Sequence, residues 1–172
     1  VREGDIIEYG LDIANSELGL RSVQITPVTY RLVCTNGMRS WSSDATLRMR
    51  HIGDTDRIRR QLQDAIPVAF AEARGDLQRW QRATDYMVDS ALEEIASLRA
   101  FGLPASETKV IEAELLRDAN TGADVRDIEQ IRGLRVFDVA NAITASAKSK
   151  PSTTSRLMME EVGHRYLTSR VS

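Results

Sequence analysis

Apolar residues alternate singly with polar ones in the early part of the chain, then switch to a spacing of three and four. In segment 5–26, DIIEYGLDIANSELGLRSVQIT, Ile7, Tyr9, Leu11 and Ile13 recur with period two, and Val23 and Ile25 resume the alternation after NSELG. Successive strand side chains point to opposite faces, so two extended segments around a Gly-containing turn are predicted. Pro27 is expected to interrupt the second of them. From Val28 to Cys34 the pattern fits a short helix through Val28, Leu32 and Val33, or a strand through Tyr30, Leu32 and Cys34. Trp41 and segment 44–52, DATLRMRHI, predict a further strand. Ala45, Leu47, Met49 and His51 would lie on one side of it, with Arg48 and Arg50 on the other.

After Gly53 the spacing becomes helical. Ile58, Leu62, Ile66, Phe70, Ala73, Leu77, Trp80, Thr84, Met87 and Ala91 form one apolar stripe and predict an amphipathic helix from about 55 to 90. Asp54 or Thr55 can cap its start. Pro67 predicts a bend or break near 64–66. Gly102–Leu103–Pro104 closes this region, and Ser106 opens a helix through Val110, Ile111, Leu115 and Leu116. A short helix at 124–131, an apolar helix at 134–147, a flexible connection KSKPSTTS at 148–155 and a last helix at 156–168 complete the reading. The fold class is α+β: a small antiparallel sheet, then a long amphipathic helix and a helical C-terminal region. Residues 1–172 read as one domain, with a strand-rich part at 1–53 and a helical part at 54–172. The chain begins at Val1 without an initiator methionine, and a longer parent chain is expected.

Composition narrows the function classes. No apolar run reaches the length of a membrane span, so no membrane partner is expected. A single cysteine excludes an internal disulfide framework and suits a reducing compartment. The net charge of −2 gives no general attraction to nucleic acid. The cations are nevertheless unusual in kind, 20 Arg against three Lys (Lys109, Lys148, Lys150). The planar guanidinium fork suits phosphate recognition, although GC-rich coding bias produces the same excess.

Cys34 has no local base, the only histidines being His51 and His164, so an unreactive thiol packed beside Leu32 or Val33 is expected. Asn36 and Gly37 suit a turn that needs left-handed backbone, which makes YRLVCTNGM an architectural junction. One Cys and two distant His supply no metal site, and no nucleotide-binding motif or paired acid–base set is present. No cofactor is expected and no catalytic residue is assigned. The strongest local signal is basic. Arg39, Arg48, Arg50, Arg57, Arg59 and Arg60 stand against Asp44, Asp54 and Asp56, an excess of +3. Arg48 and Arg50 share a strand side, and Arg57 and Arg60 share a helix face, so a sheet edge and a helix start could form one phosphate-binding surface. Trp41, set in SWSSD near Arg39, is the candidate for base stacking, whereas Trp80 on the apolar stripe is expected in the core.

The segment Arg31–Met38 (RLVCTNGM), the stretch Phe137–Ala145 within GLRVFDVANAITASA and the triplet Arg21–Ser22–Val23 resemble the phage- and plasmid-borne family DUF932. The resemblance extends over nearly all of the chain. It implies a mobile-element setting and a cytoplasmic location in a bacterial host, and it brings no catalytic residues with it. The predicted order of three strands (5–14, 20–26, 44–52) and a long helix also resembles the β-β-β-α annealing fold of Rad52-like single-strand annealing proteins. That likeness is one of fold alone. It implies single-stranded DNA as partner and a homo-oligomer. Two function classes stay open: noncatalytic nucleic-acid binding, and an accessory module that binds a phage or host protein.

Overall fold

The computed structural model describes residues 7–14, 22–31, 38–41, 46–49, 55–119 and 127–171. Strands β1 (Ile7–Ala14), β2 (Val23–Arg31), β3 (Met38–Trp41) and β4 (Leu47–Met49) precede five helices. These are α1 (Thr55–Ala83), α2 (Ala91–Ser97), α3 (Ala105–Ala119), α4 (Val136–Ser146) and α5 (Thr153–Arg170). A small antiparallel sheet followed by helices is the α+β class that the alternation and the later helical spacing predict. The chain divides into two compact units, residues 2–78 and residues 79–172, the division falling within α1.

In the first unit β2 is the central strand. β1 pairs along its whole length, from Ile7 opposite Arg31 to Ala14 opposite Gln24. β3 and β4 share the other edge of β2. Contrary to expectation, Pro27 does not end β2, which continues to Arg31. Between them, β4 pairs with Val23–Ile25 and β3 with Val28–Arg31, so Thr26 and Pro27 fall in the gap between these two pairings.

The same gap carries a register change. Val28 lies opposite Trp41 and Ile25 opposite Leu47, so three steps along β2 match six along the returning chain. Three extra residues are an odd number, and the parity of the returning chain is therefore reversed between β3 and β4. The odd positions Val23, Ile25, Pro27 and Thr29 of β2 are buried, while the even positions are half-exposed except Val28. Tyr9 lies at the exposed margin of that face, 41% exposed, and its ring meets Phe70 of α1 edge-on at 6.4 Å.

α1 begins where predicted and runs unbroken through Pro67. The carbonyl that Pro67 leaves without a donor is that of Gln63, and both residues are exposed, so water can satisfy it. The buried stripe is Ala69, Ala73, Trp80 and Ala83; Phe70 is 43% exposed and lies at its margin. The helix stops at Ala83, short of the expected 90. Asp85 N–H donates to Arg82 O at 2.8 Å, and the chain then turns extended. Val88 N–H donates to Leu134 O at 2.8 Å and Val136 N–H to Tyr86 O at 3.0 Å, a bridge centred on Met87 and Arg135.

The second unit is helical and is built around α4. Nearly all of VFDVANAITAS is buried, and α3 and α5 both pack on it. Asp138 caps the start of α4 by accepting from the Arg135 N–H at 3.0 Å. Gly102, at φ +85°, supplies the left-handed residue that lets the turn Leu98–Phe101 end before Pro104. The stretch read as a flexible connection is ordered. Ala147–Ser149 forms a 3-10 turn, and Ser152 Oγ accepts from Ser155 N–H at 3.1 Å to start α5. α5 lies so close to α4 at Gly163 that a Cβ there would meet Thr144 Cγ2 at 2.6 Å.

Candidate nucleic-acid interface

The register fixes which residues share the half-open sheet face. Directly opposite strand residues lie on the same face. One row is Glu8, Tyr30 and Arg39; the next is Gly10, Val28 and Trp41. A third joins Asp12 to Thr26, whose hydroxyl meets that of Thr46 at 3.2 Å. The last row is Ala14, Gln24 and Arg48. Arg39, Trp41 and Arg48 thus occupy positions on one face, although sequence parity alone would separate the first two from the third. Arg48 is exposed and makes no ion pair among the described residues. Arg50 lies outside the described residues, as do Cys34, Asn36 and Gly37.

At the start of α1 the arginines divide. Arg59 pairs with Asp56 at 3.3 Å, both side chains being well exposed, an arrangement worth little in water. Arg57 and Arg60 are exposed, lie three residues apart opposite the buried stripe, and have no ion pair among the described residues. Asp64, four residues beyond Arg60, shares that face and tempers its charge. No described contact joins β4 to Arg57 or Arg60. The two basic groups belong to the same unit, and each is established separately.

Other predicted residues prove to be structural. Trp80 packs edge-on against Phe137 at 5.9 Å in the core. Lys150 is held in an ion pair with Glu107, and Arg156 Nε donates to the Lys150 carbonyl at 3.1 Å, so this lysine anchors the turn between α4 and α5. The Lys148 amine is lowered from its ordinary value, first by burial and then by Arg117 nearby.

Sequence reasoning missed a polar cluster on α2 and α5. Tyr166 Oη donates to Glu94 Oε1 at 2.5 Å, and Arg170 Nε donates to the same oxygen at 3.0 Å. Arg170 also donates to Ser97 Oγ at 2.9 Å and lies 5.7 Å from the centre of the Tyr166 ring. Burial and the Glu94 hydrogen bond hold the Tyr166 proton well above the usual phenol range. A phenol so held is no acid or base near neutral pH; the cluster ties α5 to α2. The spacings Glu94–Ser97 and Tyr166–Arg170 each place two polar groups on one helix face, but nothing local says that these faces meet.

Among the described residues no group of three or more His, Cys, Asp and Glu side chains could hold a metal ion. None of the described helices is long and apolar enough to cross a membrane. Comparison of the chain with protein-family models, with curated proteins and with solved structures found no match.

Proposed function

We propose that residues 2–78 carry a noncatalytic binding surface for nucleic acid, used to anneal single strands during phage recombination or replication. The observation that carries the reading is Arg48: exposed, and without an ion pair among the described residues, on a half-open sheet face whose reverse side is buried along β2. Arg57 and Arg60 would add phosphate contacts from α1, and the position of Trp41 on the Arg48 face supports a stacking role. The phage setting and the annealing step rest on the resemblance to DUF932 and on the three-strand order expected from the sequence; the structure places a fourth strand, β3, before α1. Assembly as a homo-oligomer belongs to that same reading.

The test is fluorescence anisotropy with labelled poly-dT and a matched duplex across a salt series. Binding should weaken as salt rises, with a slope of about −0.7 per phosphate contact on a single strand. Arg48→Ala and Arg57→Ala/Arg60→Ala should flatten that slope, and Trp41→Ala should weaken poly-dT more than duplex. No binding at low salt by the full-length protein would overturn the reading. A second reading, docking of a phage or host protein, is favoured by the exposure of Tyr86, Met87 and Leu92 in the second unit. It predicts that Met87→Ser/Leu92→Ser abolishes partner capture while leaving the fold intact.

A further inference from the structure

Strand β1 ends the sheet on one side. Among the described residues no strand pairs with its outer edge, which runs unbroken through IEYGLDIA from Ile7 to Ala14. The opposite edge is divided between the short strands β3 and β4. Their parity differs, so one straight incoming strand cannot stay in register along both. β1 has no such break, no proline and no lysine. Its apolar face is also incompletely covered. Ile25, Pro27 and Thr29 of β2 are fully buried, yet Ile13 and Tyr9, opposite Ile25 and Thr29, are exposed, Ile13 by 54%. Phe70, beside Tyr9, is exposed as well. A long strand edge with an open apolar flank is a template for another strand.

We propose that β1 pairs with β1 of a second copy of this chain, antiparallel about a two-fold axis through Leu11. The pattern of β1 itself selects this occupant and this register. Opposite residues of an antiparallel pair share a face, so the apolar odd positions must meet odd positions. Two registers then use most of the strand. Centred on Gly10, the pairing runs from Ile7 to Ile13 and sets Glu8 directly opposite the second copy's Asp12, a repulsion that the symmetry repeats. Centred on Leu11, it runs from Glu8 to Ala14 and removes that clash. Tyr9 then faces Ile13, Leu11 faces its own counterpart, Asp12 faces Gly10 and Glu8 faces Ala14. The exposed Tyr9 and Ile13 cover each other in both halves of the pair. Glu8 and Asp12 become diagonal neighbours, about 7–8 Å apart, so association tightens as salt screens them. This interface gives the homo-oligomer of the nucleic-acid reading a place in the fold, but it is argued from β1 alone and uses none of the arginines.

The experiment is analytical ultracentrifugation of the full-length protein without nucleic acid, across a range of protein and salt concentrations. The expected result is a monomer–dimer equilibrium that moves toward dimer as salt rises. Tyr9→Glu and Ile13→Lys should each weaken dimerisation roughly tenfold, because the symmetry places either change in two cross-strand pairs. Mixed in equal amounts, the two variants should form a heterodimer nearly as stable as the unaltered dimer. The introduced carboxylate then faces the introduced ammonium, and the other Tyr9–Ile13 pair is intact. Circular dichroism establishes that each variant is folded. Should Tyr9→Glu disturb the packing on Phe70, Ile13→Lys alone decides, since Ile13 is largely open to solvent. A protein that stays monomeric, a dimer indifferent to Ile13→Lys, a dimer that weakens with salt, or folded variants that fail to rescue each other overturns the β1 interface and leaves nucleic-acid binding standing. A dimer that binds neither poly-dT nor duplex overturns the nucleic-acid reading and leaves the interface standing.

Discussion

The close approach of α5 to α4 at Gly163 gives a prediction whose sign depends on one methyl group. Gly163→Ala would normally stabilise a helix by about 1 kcal/mol through propensity. Here the new Cβ would stand 2.6 Å from Thr144 Cγ2, nearly an ångström inside ordinary contact. Thr144 has little freedom to retreat, because its hydroxyl donates to Ala140 O at 3.1 Å and Asn141 O at 3.0 Å. Rotating the methyl away would break those bonds, so α4 and α5 must separate instead. Overpacking of this kind costs about 1–3 kcal/mol. With the propensity gain set against it, the net effect should be a loss of about 1 kcal/mol.

Thr144→Ser removes the offending methyl and keeps the hydroxyl. Alone it should cost about 1 kcal/mol for the lost buried group. In that background Gly163→Ala should become neutral or stabilising, because its Cβ fills the space vacated. The coupling between the two sites is then about 1–2 kcal/mol and favourable. Urea unfolding of the four proteins, followed by far-UV circular dichroism and tryptophan fluorescence, measures it. If Gly163→Ala stabilises the unaltered protein, or costs the same with Ser at 144, the close approach is not what constrains this interface.

The remaining predictions concern other buried polar groups and the basic surface. Thr29 is fully buried and its hydroxyl has no hydrogen-bond partner, so Thr29→Val should raise stability by about 1 kcal/mol in urea unfolding. Tyr166→Phe should cost about 1.5 kcal/mol by removing a hydrogen bond to a carboxylate. Because folding raises the Tyr166 pKa, its contribution should be full below about pH 10 and decline as pH rises beyond it. Absorbance of tyrosinate should show one of the four tyrosines resisting ionisation until the protein unfolds. Arg57→Ala/Arg60→Ala should lower the salt slope of poly-dT binding without changing the unfolding midpoint, since both side chains are exposed and make no ion pair among the described residues.

What was legible in the sequence is what local spacing determines. Ile7 to Ile13 and Val23 to Ile25 alternate, and they form the pair β1–β2. The 3–4 spacing after Gly53 located the start of α1, and the apolar run at 134–147 located the helix at the centre of the second unit. The errors fall where a distant partner decides. Thr84, Met87 and Ala91 continue the helical spacing, yet residues 86–88 turn extended to bond with 134–136. Pro27 resembles a strand terminator, yet it falls at the gap between the two pairings on the β3–β4 edge of β2. Ser152 looked like part of a flexible connection until the turn before it was anchored by the Lys150–Glu107 pair.

The candidate surface illustrates the same limit most sharply. Arg39 and Trp41 are odd-numbered and Arg48 is even-numbered, so a continuous strand would send them to opposite faces. Their placement on one face comes from the change of register opposite Thr26 and Pro27. The apolar pattern on the returning chain carries the same change of parity. Met38 pairs with Arg31 and Leu47 with Ile25, so an even position of β3 and an odd position of β4 fall in register with odd positions of β2. Each strand satisfies period two by itself, and only the pairing with β2 reveals the slip between them. The proposed surface, which draws on both strands, therefore depends on an irregularity of the sheet rather than on its regular part. The six-residue step from Trp41 to Leu47 sets which residues share the candidate face by reversing parity, even though regular alternation would treat it as a connection alone.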